Sequence, residues 1–174
     1  MGLRRVKRLK IFLSFILSYI VGIFLGTLAV GTYESVSFKP WSWNESPIVI
    51  NCYGDDLNTL HIVEAVHYWT LKGHSFSYIE QSPSKELCEH DQIKGFIMIK
   101  KKSLSHGTLG ETKRKVYMFN ISSAVIYFNS GTYRITNVFE HEMGHALGYN
   151  HIEIEGHIMH PIWEKMTNKF WIPE

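Results

Sequence analysis

Cysteine is scarce in this chain: two residues, Cys52 and Cys88, among 174. That excludes a disulfide-dense scaffold and leaves room for one bridge. Proline is equally sparse, at five residues, and no repeat or low-complexity tract interrupts the sequence. Solenoids and disordered linker proteins are thereby set aside. An excess of charge is missing too, since the formal net charge is +2. Five of the 18 basic residues (Arg4, Arg5, Lys7, Arg8 and Lys10) crowd the first ten positions. The remainder, 13 basic against 16 acidic residues, is mildly acidic, so no nucleic-acid partner is expected. Hydrophobic content is ordinary at 45%, enough for one globular domain with an appendage.

One long apolar run is present. Residues 11–30 are apolar or small and carry no charge. Twenty helical residues span about 30 Å, the thickness of a bilayer core. The basic cluster ahead of them predicts a cytoplasmic N-terminus and a domain outside the cytoplasm. The expected organisation is a basic cytoplasmic segment 1–10, a transmembrane helix 11–31, a linker 32–47 and a folded domain 48–174. A cleavable signal peptide is the rival, with Ala29-Val30-Gly31 as its cleavage site and secretion as the outcome. In an exported domain, Cys52 and Cys88 are expected to pair, closing a loop nominally worth ~3–4 kcal/mol. Two free thiols are the alternative.

The domain reads as α+β: a twisted, mainly five-stranded sheet with two main helices. Strands are expected at 48–51, 76–80, 95–99, 116–120 and 124–129, and a loop at 81–92. A first helix is expected over 57–72, capped by Asp55-Asp56 and ended by Gly73. Its apolar positions Leu60, Val63, Val66 and Trp69 recur at helical spacing. His61 and His67 on it read as structural. Asn137 with Glu140 resembles a capping pair for a second helix.

That second helix carries the chemistry. His141, Glu142, His145, Gly148 and His151 stand in the order His-Glu-x-x-His-x-x-Gly-x-x-His. At this composition the pattern arises by chance with odds on the order of 10⁻⁴. His141 and His145 lie one turn apart on one helix face, so two neutral imidazoles can hold one zinc ion. His151 is six residues further on, about 600° of rotation, and cannot share that face in a straight helix. The chain must turn, and Gly148 is where it can. Three protein ligands leave a fourth position for water, the catalytic rather than the structural pattern. Glu142, beside the first ligand, is placed to take a proton from attacking water and return it to a leaving amine. Metal-assisted peptide hydrolysis is the leading expectation. A zinc-stabilised extracellular interaction module without turnover and a cell-wall amidase are its rivals.

These residues resemble the metzincin zinc metalloproteases, and further features are similar to the matrixin branch. Met159, in His157-Ile158-Met159-His160-Pro161, follows His151 by eight residues, the matrixin spacing of the Met-turn. Trp41, then Ile48-Val49-Ile50, resembles the family's first strand. Residues 62–69, then Phe76, resemble its first helix and next strand. Pro161-Ile162-Trp163 stands where the family has Pro-x-Tyr. The resemblance covers roughly residues 38–165. It implies a zincin-like fold with a Met-turn, a peptide or protein substrate and one catalytic Zn²⁺ on His141, His145 and His151. It also implies Glu142 as general base and acid, Met159 beneath the metal, and Pro161, Ile162 and Trp163 as a wall of the main substrate pocket. The substrate would pair with an edge strand, expected near 116–120. Departures are Ile152 after the third histidine, His160 after the turn methionine, and a loop for structural zinc and calcium reduced to His106-Gly107. A calcium requirement therefore stays open, and a minimal bacterial or viral form fits better than an animal one. His157 and His160 stand close enough to serve either the turn or a developing oxyanion. Lys100-Lys101-Lys102 and Lys113-Arg114-Lys115 read as solvated ends of one loop.

Overall fold

Strands β2 (Ile48–Cys52) and β4 (Phe96–Lys101) are short apolar runs bounded by polar residues, the pattern of parallel strands covered on both faces. They pair in parallel, and β4 continues in parallel to β6 (Asn120–Phe128). The structure is a computed structural model that describes residues 38–173. Two-residue strands complete the parallel set: β1 (Ser42–Trp43) beside the start of β6 and β3 (Ile79–Glu80) beside β2. β5 (Gly110–Tyr117) runs antiparallel along the opposite side of β6. The sheet thus has six strands in the order β1-β6-β4-β2-β3, with β5 paired to β6 off that path. The five expected strands omitted β1, whose two residues give no periodic signal.

Along β2, β4 and β6 the buried side chains alternate. Val49, Ile97, Ile99, Ala124, Ile126 and Phe128 join the core that holds the helices. Ile50, Met98 and Val125 are buried on the other face. Helix α1 (Thr59–Thr70) and helix α3 (Val138–Ala146) pack on each other. Trp69 joins them, its indole Nε1 donating to Glu140 O at 2.8 Å.

Several expectations are corrected. Helix α1 begins at Thr59, and its cap is Asn58, whose side chain accepts from Leu60 N at 2.9 Å. Leu57 just outside and Ile62 in the next turn both enter the core; this hydrophobic staple sets the start, not Asp55-Asp56. The buried stripe is Ile62, Ala65 and Trp69. Leu60 and Val63 are 55% and 42% exposed. Both stripes share Trp69 and both have helical spacing, so packing against α3 made the choice. Residues 76–78 are not in a strand, and the expected loop 81–92 contains a short helix α2 (Lys85–Glu89) capped by Ser84. Cys88 on α2 and Cys52 at the end of β2 form a disulfide with Cα atoms 5.4 Å apart.

The strand expected at 116–120 is split by a turn at Met118-Phe119, with Met118 at φ 55°. The true edge strand begins at Gly110, where polar residues hide it from a hydrophobicity pattern. The capping pair of α3 is absent: Asn137 has φ 68° and its side chain makes no cap bond. A side-chain cap needs extended backbone at that residue, and asparagine here serves its other use, the left-handed turn. From Phe38 onward the segment expected as a linker packs on the domain: Phe38 O accepts from Asn150 N at 2.8 Å. No described helix is long and apolar enough to cross a membrane. The segments expected at 1–10 and 11–31 lie outside the described residues.

Candidate metal centre

Helix α3 is polar in sequence yet buries seven of its nine residues. Each buried polar group therefore needs a partner. His141 places Nδ1 2.8 Å from Ile158 O, and His145 places Nδ1 2.9 Å from Tyr149 O. A carbonyl only accepts, so both Nδ1 atoms carry the hydrogen and both Nε2 lone pairs face inward. There they meet His151: its Nε2 lies 3.2 Å from His141 Nε2 and 3.1 Å from His145 Nε2. Two Zn–N bonds of ~2.0–2.1 Å at the tetrahedral angle hold their nitrogens ~3.3–3.4 Å apart. The donor set fits a single divalent ion, which His141, His145 and His151 could hold. Burial above all drives the pKa of His141 down to about 4 and of His145 to about 3, and it lowers that of His151. All three imidazoles are neutral at pH 7, the form that binds metal.

The turn delivering His151 is held from three sides. Gly148 has φ +107°, and a Cβ there would run into the Trp41 carbonyl oxygen. Trp43 Nε1 donates to Ala146 O at 2.9 Å. Arg114, on β5, donates to His145 O at 2.9 Å and Tyr149 O at 3.2 Å while its guanidinium lies 4.4 Å over the Trp41 ring. Met159 is fully buried and accepts Ile152 N on its carbonyl at 3.0 Å. A Cβ on Gly144 would press on Trp69 at 2.6 Å and on the Met159 sulfur, so the helix can sit on the methionine turn only with glycine there. His157 is committed to the backbone: its Nδ1 accepts from Met159 N at 3.0 Å and its Nε2 donates to Trp171 O at 3.0 Å. His160 accepts from Ile162 N at 3.0 Å and lines the cleft.

Glu142 is buried and faces the same cleft, a cavity of about 950 Å³. Burial, opposed by a hydrogen bond from Thr112, pushes its carboxyl pKa up to about 7. Thr112 Oγ1 lies 2.6 Å from Glu142 Oε2 and 3.0 Å from Glu142 O. The opposite wall includes Pro161, Ile162 and Trp163, with Trp163 Nε1 donating to Thr136 O at 2.9 Å.

A family model described as Matrixin matches residues 48–174, most of the chain. The chain belongs to the matrixin family. None of the curated proteins matches it. Matrixins are zinc metallopeptidases, and this matrixin brings the three motif histidines to one point with Glu142 on the same cleft. What sequence reasoning missed are the groups on β5 that hold this helix: Gly110, Thr112 and Arg114. They occupy alternate positions of one strand, a period-2 signal masked because none of the three is apolar.

Proposed function

We propose that this matrixin is a zinc-dependent endopeptidase with His141, His145 and His151 as the metal ligands and Glu142 as general base and acid. The observation that carries this is the convergence of three neutral imidazole nitrogens within 4.8 Å of one another, two of them aimed by backbone carbonyls. Zinc bound there supplies Lewis acidity, polarising a peptide carbonyl and making water a better nucleophile at neutral pH. Glu142 takes the proton from the attacking water. With its pKa raised to about 7 by burial, it is poised both to accept that proton and to return it to the leaving amine. Met159 supports the ligand set from below, without touching substrate. Pro161, Ile162 and Trp163 wall the pocket for a substrate side chain.

The substrate is a peptide or protein segment in extended form. β5 pairs with β6 on one side only, and its Gly110, Glu111 and Thr112 line the cleft. Its free edge offers backbone groups for strand addition. The domain works outside the cytoplasm: the basic residues before the uncharged run 11–30 and the Cys52–Cys88 disulfide both fit an oxidising compartment. The segment 11–31 acts there as a membrane anchor.

The test is Glu142→Ala in the full chain. It is expected to retain one zinc per molecule while cleavage of a proteome-derived peptide mixture drops by about 10²–10⁴-fold or more. Undiminished cleavage would remove Glu142 from its role. A wild-type chain that binds zinc and cleaves nothing would make it the interaction module instead.

A further inference from the structure

Three residues of β5 reach toward α3 from alternate positions. Gly110 lies against the Glu142 carboxyl, Thr112 bonds to it, and Arg114 bonds to the backbone at the helix's far end. The outward residues between them do something else: Glu111 pairs with Lys102 and Lys113. The inward face of an edge strand is ordinarily apolar; this one is fitted to a single carboxylate.

We infer that Thr112 is the positioning residue of the base, with Gly110 providing the space in which the base works. This rests on the reading of Glu142 as base and assigns separate tasks to its two oxygens. The Thr112 hydroxyl has one hydrogen and two acceptors in reach, Oε2 and the Glu142 carbonyl. The carboxylate, at 2.6 Å, takes it, because charge-assisted bonds are shorter and stronger than neutral ones. Oε2 is thereby tied to the strand. Oε1 makes no hydrogen bond among the described residues, and it lies where a Cβ on Gly110 would come within 2.7 Å. The bare Cα of Gly110 leaves room beside Oε1, which is the oxygen that accepts and returns the proton.

The arrangement has a consequence for substrate. The strand whose free edge is offered to the peptide is the strand whose side chains hold the base. A peptide seated on β5 is therefore in register with Oε1 through two covalently neighbouring residues. Removing the hydroxyl should leave binding intact and misplace the base, a loss in kcat and not in KM.

The experiment compares full-length wild type, Thr112→Val, Thr112→Ser, Gly110→Ala and Glu142→Ala. Initial rates are measured on the fastest-cleaved peptide from a proteome-derived mixture, with zinc content and melting temperature measured alongside. Thr112→Val is expected to lower kcat about 10–100-fold, the range of a hydrogen bond to a charged group. KM should change less than about 2-fold, and zinc should stay at one per chain. Thr112→Ser keeps the hydroxyl and should recover most of the loss. Gly110→Ala should lower kcat further, since its Cβ would stand 2.6 Å from Glu142 Cγ. An unchanged kcat in Thr112→Val, a loss carried by KM or by lost zinc, or no recovery with serine would each overturn the assignment. If Glu142→Ala is dead while Thr112→Val is fully active, only the role of Thr112 fails. If Glu142→Ala is active, or wild type cleaves nothing, the base reading fails and takes this one with it.

Discussion

Helix α3 buries seven of its nine residues, whereas β5, eight residues long and directly opposite, buries none. The helix carries the groups for chemistry in a dry place, where burial shifts their pKa values and each needs a partner. The strand, half in solvent, supplies partners. It donates to Glu142 through Thr112 and to the carbonyls of His145 and Tyr149 through Arg114. That guanidinium stands at the C-terminal end of α3, where positive charge also complements the helix dipole. One region concentrates the reacting groups, and the other keeps them aimed. Substitutions should then separate: those in the helix and its turn cost stability and metal, and those on the strand cost aim.

The largest effect should come from Gly148→Ala, which attacks the turn. A positive φ of 107° strains any Cβ, and the Trp41 carbonyl occupies its space. A loss on the order of 3 kcal/mol is expected in urea unfolding, with weakened zinc binding because His151 moves with the turn. Full stability in this variant would mean that the strap at Trp41 yields, and the helix side of the contrast would be softer than drawn.

Arg114→Met tests the strand side. It keeps the side-chain length and loses the bonds to His145 O and Tyr149 O. Zinc affinity, measured by competition with a chelator, should fall about 10-fold, the lower end for groups that orient metal ligands. Arg114→Lys should recover little, since one ammonium cannot reproduce a planar fork stacked on Trp41. Unchanged affinity in Arg114→Met would show that the turn holds itself without β5.

The smallest effect is a pH dependence at the base of the turn. His74 Nε2 lies 2.9 Å from Tyr149 Oη, and burial, with Lys39 second, lowers its pKa from 6.5 to about 4. The unfolded chain therefore takes up this proton first as pH falls. The contribution is fully present above pH 6.5 and is lost as pH drops toward about 4. Melting temperature should fall across that window, and His74→Phe should flatten the fall. A variant that melts with the same pH profile as wild type would sever His74 from the turn.

Much of the domain could be read from residues alone, and the misses share a cause. β2, β4 and β6 announce themselves as apolar runs. Helix α1 does too, but Leu60 and Val63 were assigned to the core and Ile62 and Ala65 were not, because two stripes of equal period share Trp69. β5 left no apolar trace: its inward face is Gly110, Thr112 and Arg114, selected by a carboxylate and two carbonyls that lie about thirty residues away. Asn137 was misread because asparagine serves both as a cap and in the left-handed turn, and backbone geometry alone tells them apart.

Local spacing determined which nitrogens come together, and that the chain must bend at Gly148 to bring in the last of them. Helical rotation per residue is a property of the backbone and needs no knowledge of the rest of the molecule. Tertiary structure alone decided which face of α1 is covered, that residues 38–43 strap the ligand turn, and that a threonine on a solvated strand holds the carboxylate. Those outcomes depend on strand register and on what burial leaves unpaired, and both arise only when distant parts of the chain meet.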